Sequence, residues 1–302
     1  MNAMSRNIQL IVSLTLCATA LTSCSSESDT SGANTGSDTS SSNTAALPEK
    51  DISSWTLPSD PYNPPDPSLE AYAIDITAAK CAKEAGVQAP IQKFDVDAPL
   101  PATTNAARHR LFDEKIAQEF GYQEEPDPRI NWDDRKNIEE VTSSWNESEI
   151  EAYVACQDKA LKELGNDGGE VYSYGFGVGW ESDPSVQEAT KKWRECMAPL
   201  GIADLEADAG PFDMPTAGLR SGWGRTDDIP PWEEPAPSAA EIEVAVHDAK
   251  CQESSGWVQA AYDAEWKLSE DYLNDNLVEL NARKERYDNL RASYMEAIKN
   301  GS

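Results

Sequence analysis

The stretch KWRECMAPLG, Lys192 to Gly201, decides how this chain is read. Trp193, Cys196, Met197 and Leu200 stand at i, i+3, i+4 and i+7, the spacing that gathers side chains on one face of a helix. Gly201 closes the run, and glycine suits the left-handed turn that ends a helix. Upstream, Asp183 and Pro184 supply a capping acid and a first-turn proline, whose missing N–H costs nothing there. The stretch therefore reads as a capped helix carrying a cysteine on its apolar face. Whether Cys196 is a nucleophile, a metal ligand or a staple depends on the other cysteines.

Three more helix starts follow the same logic. Asp66-Pro67 leads toward Cys81, while the capping-box patterns Asn146–Glu149 and Ser238–Glu241 lead toward Cys156 and Cys251. CAKEAGV (81–87) and CMAPLGI (196–202) share Cys, four residues, Gly and a β-branched residue, a faint internal repeat. With Cys17 and Cys24 of the N-terminus set aside, the four remaining cysteines are separated by 75, 40 and 55 residues, so no Cys-x-x-Cys exists for a zinc or thioredoxin-type site. Four cysteines allow three pairings. The repeat favours Cys81–Cys156 and Cys196–Cys251, one bridge in each half of the chain (66–182 and 183–302), worth about 2–4 kcal/mol apiece.

The N-terminus sets the compartment. Met1–Asn7 carries one cation, Arg6, and Ile8–Leu21 is an apolar run shorter than the roughly 20 residues of a spanning helix. Residues 1–23 thus read as a signal peptide. The following Leu21-Thr22-Ser23-Cys24 resembles the lipobox of bacterial lipoproteins. That resemblance implies cleavage before Cys24, a diacylglycerol on its sulfur, and attachment to the cell membrane on the extracytoplasmic side. Such a compartment is oxidising and favours disulfides. Residues 24–65, first Ser/Thr/Gly-rich and then LPSDPYNPPDP, read as a tether ending in an extended proline-rich arm. A net charge of −29 excludes nucleic acid and anionic headgroups as partners held by general electrostatics.

The body, 66–302, reads as a mainly α domain with long irregular loops. A short helix is expected over 106–120, a hairpin or aromatic loop over VYSYGFGVGW (171–180), and an irregular proline-bearing segment over 203–237. From Trp266 the apolar residues recur every seven: Trp266, Leu273, Leu280, Tyr287 and Tyr294. This predicts an amphipathic helix over 266–299, roughly 50 Å long at 1.5 Å per residue. Its stripe suits either the protein's own helices or a protein partner.

Chemical candidates are few. His247 and Cys251, four apart, share a helix face and have the makings of a nucleophile–base pair or half a metal site. The other histidine, His109, sits in ARHRL, which reads as a solvated face. An even cysteine count in an oxidising compartment favours the staple. Asp204, Glu206 and Asp208 alternate like the start of a calcium loop, but Ala209 and Pro215 stand where an EF-hand needs Gly and Glu. No Gly-x-Ser-x-Gly elbow or phosphate-cradling glycine loop is present. The expectation is no catalytic residue, metal or cofactor. Of the nine tryptophans, Trp145, Trp180, Trp223 and Trp232 lie in or near loops, suited to covering a small core or stacking on sugars.

Lipobox, tether, Trp193-x-x-Cys196-Met197 with Gly201, and Asp248-x-x-Cys251 together resemble a family of poorly characterised actinobacterial surface lipoproteins. The resemblance is best over 183–300 and implies export, anchoring and disulfides, with no catalytic residue. The functional expectation is a non-catalytic, lipid-anchored component of the cell envelope. It would act through a protein partner on helix 266–299, as in a membrane transport complex, or by binding cell-wall glycan or a small ligand.

Overall fold

A computed structural model of the chain describes residues 47–166, 179–225 and 235–301. Cys24, the signal peptide, the tether up to residue 46, residues 171–178 of the aromatic loop and Trp232 lie outside them. The described fold is helical: α1 (Pro67–Glu84), α2 (Glu114–Phe120), α3 (Trp132–Ser143), α4 (Glu147–Glu163), α5 (Pro184–Met197), α6 (Ala217–Gly222), α7 (Ala239–Ser254) and α8 (Trp257–Gly301). Strand-like pairing among these residues is confined to two isolated bridges, Phe94 with Ile130 and Thr104 with Arg110.

The four helix starts form as their residues dictate. Asp66 and Asp183 each accept a hydrogen bond from the backbone N–H two residues on, with proline in the first turn. Asn146 and Glu149 complete a reciprocal capping box, and Ser238 caps α7 through Glu241 N–H. α5 tightens into a 3-10 turn over Ala198–Leu200 and ends at Gly201, whose φ of +58° is left-handed.

Two disulfides staple these helices in pairs. Cys81–Cys156 joins α1 to α4, and Cys196–Cys251 joins α5 to α7, each with 5.6 Å between Cα atoms. Around the first bridge the packing is small: Ala78, Ala82 and Ala160 with Val87. Around the second it is large: Trp193, Met197 and Met214.

α8 serves both pairs. Its first turns lay Trp257, Ala261 and Ala264 against Val186 and Ala189 of α5. Its last turns lay Tyr287, Leu290, Tyr294 and Ile298 against α1 around Ala73. Between them Asn276 leaves helical geometry (φ −124°, ψ 17°) and its side-chain amide donates to Tyr272 C=O, marking a kink. α8 thus packs on both stapled pairs within one compact unit.

Several expectations need correction. The C-terminal helix begins at Trp257, nine residues before the heptad pattern becomes visible. Its stripe is covered by the protein itself: Trp266, Leu273, Leu280, Tyr287 and Tyr294 are all buried. The covering comes partly from residues 47–65, expected as tether. Leu57 and Tyr62 are buried on α8, Ser59 N–H donates to Ser269 Oγ (2.9 Å), and Tyr262 O–H donates to Thr56 C=O (2.8 Å). The prolines of this arm do not keep it extended in solvent, because its apolar residues close over a stripe that would otherwise face water. The helix expected over 106–120 is cut to α2, since Asp113 caps it through Ile116 N–H. α3 was not anticipated. No described helix is long and apolar enough to cross a membrane.

Candidate functional site

The arm, the entry to α2, the turn at Trp180, the turn at Phe212 and the α7–α8 junction surround a cavity of about 780 Å³. A second cavity, about 530 Å³, shares Trp180, Phe212 and Trp257 with it and is lined further by Val186, Thr190 and Arg194. The three rings meet edge to face, with centroids 6.1 Å apart for Trp180–Trp257, 5.4 Å for Trp180–Phe212 and 5.3 Å for Phe212–Trp257.

Local sequence places each ring. Gly256, at φ +76°, turns the chain sharply between α7 and α8, and Ser255 Oγ accepts from Trp257 N–H, so Trp257 opens the new helix. Trp180 sits in a 3-10 turn just before the Asp183 cap of α5. Phe212 lies in the 3-10 turn Pro211–Asp213, tied by Gly210 N–H donating to the Asp213 carboxylate (2.7 Å). Trp180 and Trp257 are buried, whereas Phe212 is 61% exposed, an apolar ring standing on an aromatic platform. Across the cavity Phe112 and Tyr122 stack at 5.5 Å, with the Arg110 guanidinium 5.1 Å from the Phe112 ring.

Two carboxylates lie beneath this aromatic lining. Asp248 is fully buried and accepts from Trp193 Nε1–H (2.7 Å), Tyr122 O–H (2.9 Å) and the Gln252 amide (3.0 Å). Burial pushes its pKa up, and the three donors, which favour the ionised form, work against that rise. Burial, reinforced by the Asp248 charge, also raises the Tyr122 phenol. Glu265 is partly buried and accepts from Trp55 Nε1–H at 2.7 Å. Burial raises its pKa as well. His109 faces the cavity too, its Nε2 2.9 Å from Asp60 Oδ1. The ARHRL segment is therefore no simple solvated face.

The bridged cysteines answer the chemical question posed by the sequence. Cys196, His247 and Cys251 bring their potential ligand atoms within 4.8 Å of one another, but the two sulfurs are bonded to each other and leave no thiolate. His247 Nε2 lies 3.0 Å from Cys196 C=O, in position to donate to it. Cys196 is a staple. Asp204, from the failed calcium pattern, accepts from Thr216 Oγ1–H and Gly218 N–H at the start of α6.

The chain matches no family model, no curated protein and no solved structure.

Of the four loop tryptophans, Trp180 lines the cavity. Trp145 packs edge-on against Tyr153 at 5.0 Å, and Trp223 stacks on Tyr122 at 5.9 Å. The residues that sequence reasoning missed are Trp55, Phe212 and Glu265, and Asp248 was legible only as a partner of Cys251 in its motif. Asp248 left a signal: it stands three residues before Cys251, as Trp193 stands three before Cys196. On two bridged helices those positions meet one turn from the disulfide. Trp55 left a weaker one, as an indole in a segment otherwise suited to a tether.

Proposed function

We propose that this protein is a lipid-anchored, non-catalytic binding protein of the cell envelope that captures a small ligand in the aromatic cavity. The observation that carries the reading is the Trp180–Phe212–Trp257 cluster, whose exposed Phe212 ring lines two cavities of ligand size. A folding core alone gives no reason to leave Phe212 in water. Binding suits the buried carboxylate better than catalysis does, because Asp248 is saturated by three donors and holds the wall of the site in place. Attachment through Cys24 rests on the lipobox-like LTSC, and the acidic chain disfavours nucleic acid as a partner. Protein partnering through 266–299 is the weaker reading, since its stripe is already occupied.

The direct test is affinity selection with the full chain in detergent. A mixture of small metabolites and cell-wall fragments is incubated with the protein, and retained molecules are read by native mass spectrometry. A discrete ligand retained by the wild type and lost in Phe212→Ala and Trp257→Ala is the expected result. Retention of nothing, or of the same molecules by both variants, would end the proposal.

A further inference from the structure

We propose that the ligand is an organic cation, its ammonium group set against Glu265 and its apolar body lying over Trp55 and the Trp180–Phe212–Trp257 cluster. This rests on reading the cavity as a binding site. Glu265 lines that cavity, and among the described residues its single hydrogen bond comes from Trp55, on Oε2. A partly buried carboxylate with one neutral donor has lost hydration that this single bond only partly replaces. Among the described residues no lysine or arginine pairs with it, and nearby His109 is directed at Asp60.

The chain itself shows what such a pocket attracts. On the same helix, Asp263 and Trp266 are met by Lys50, whose Nζ lies 2.8 Å from the carboxylate and 5.1 Å from the indole centroid. Glu265 with Trp55 repeats the pairing of carboxylate and indole on the cavity side, and among the described residues no ammonium is paired with that carboxylate. The rim adds further negative charge through Glu181 and Glu253, both exposed. The basic groups of the lining, Arg110 and Lys115, stand at the α2 entry, and Arg110 is already engaged with Phe112 and Tyr122 C=O. The lining also holds Asp113 and Glu114, so its acidic side chains outnumber its lysines and arginines, and at Glu265 the N–H edge of the Trp55 indole meets the carboxylate. Tryptophan is the ring that holds a cation best, and the attraction grows when water is excluded.

The test is isothermal titration of the full chain in detergent with three probes: choline, its uncharged carbon isostere 3,3-dimethylbutan-1-ol, and an N-acetylglucosamine tetramer. Choline should bind at least tenfold more tightly than the isostere, and Glu265→Gln should erase that preference. Exposed Glu181→Gln should weaken choline two- to fivefold with folding intact, which covers the case of an unfolded Glu265 variant. Equal binding of choline and isostere, or an unchanged preference in both variants, overturns the cation. Binding of the glycan alone also overturns it while leaving the cavity as a binding site. If no probe binds, the cation assignment falls, and the cavity is judged separately by the affinity selection.

Discussion

The two stapled helix pairs begin alike and end differently. Each opens with Asp-Pro-Ser, carries a cysteine on the packed face of its first helix, and places glycine five residues after that cysteine. Three residues before the cysteines, however, α1 and α4 carry Ala78 and Tyr153, whereas α5 and α7 carry Trp193 and Asp248. In the first pair Tyr153 reaches outward to a partly buried Asp75 at 2.8 Å. In the second, indole and carboxylate meet in the interior at 2.7 Å, and Tyr122 and Gln252 complete the cluster. One pair is a scaffold of close-packed alanines. The other buries a carboxyl group that fixes a tryptophan, a tyrosine and the helix that lines the cavity. A repeated framework can thus diverge at one position per helix and acquire a site on one side only.

Removing the bridges is the largest perturbation that probes this difference. The loops they close span 75 and 55 residues, and because loop entropy depends only logarithmically on length, each loss should cost about 4 kcal/mol. Urea unfolding of Cys81→Ala/Cys156→Ala and Cys196→Ala/Cys251→Ala should therefore give similar midpoints. Only the second should disturb near-ultraviolet signals of the cavity tryptophans.

Next come the carboxylates. Asp248→Ala strands three donors, two of them from aromatic side chains, and should cost about 3 kcal/mol. Asp75→Ala, whose neighbours can turn to water, should cost about 1 kcal/mol. Equal losses in denaturant titrations would dissolve the distinction between scaffold and site.

The pH response sharpens the comparison further. Glu265, Asp75 and Asp248 all have pKa values raised by burial, so each keeps its proton in the folded state at a pH where the unfolded chain has lost it. The folded state then binds more protons than the unfolded one, and stability falls as pH rises from the ordinary carboxylate range upward. Glu265→Gln should flatten part of that slope, measured as unfolding midpoint between pH 4 and 7, and leave the contribution of Asp75. A slope unchanged in the variant would show that Glu265 is as hydrated as in the unfolded chain.

The smallest effect belongs to the exposed face of α8 that joins the two pairs. The Lys284–Asp288 contact spans one turn in solvent, and Lys284→Ala should change stability by less than about 0.5 kcal/mol. A larger loss would mean that this face is covered in the functional state.

The residues alone determined a good deal. Capping acids, first-turn prolines and capping boxes act within four residues, so α1, α4, α5 and α7 were legible at their first turns. The Cys-to-Gly repeat favoured the two bridges, and the seven-residue stripe announced α8. α3 escaped notice because its residues are mostly polar and give little apolar periodicity. Tertiary structure decided what covers what. Whether a stripe faces a partner or the chain's own arm depends on segments some 210 residues apart in sequence, as Ser59 and Ser269 show. The cavity is likewise a product of distance: Trp55, Phe212 and Glu265 have no shared local pattern, and only the packing of α5 and α7 on α8 brings them to one wall. Local chemistry specifies helices and their ends through short-range hydrogen bonds, while a site arises from long-range burial, for which a single sequence carries no ruler.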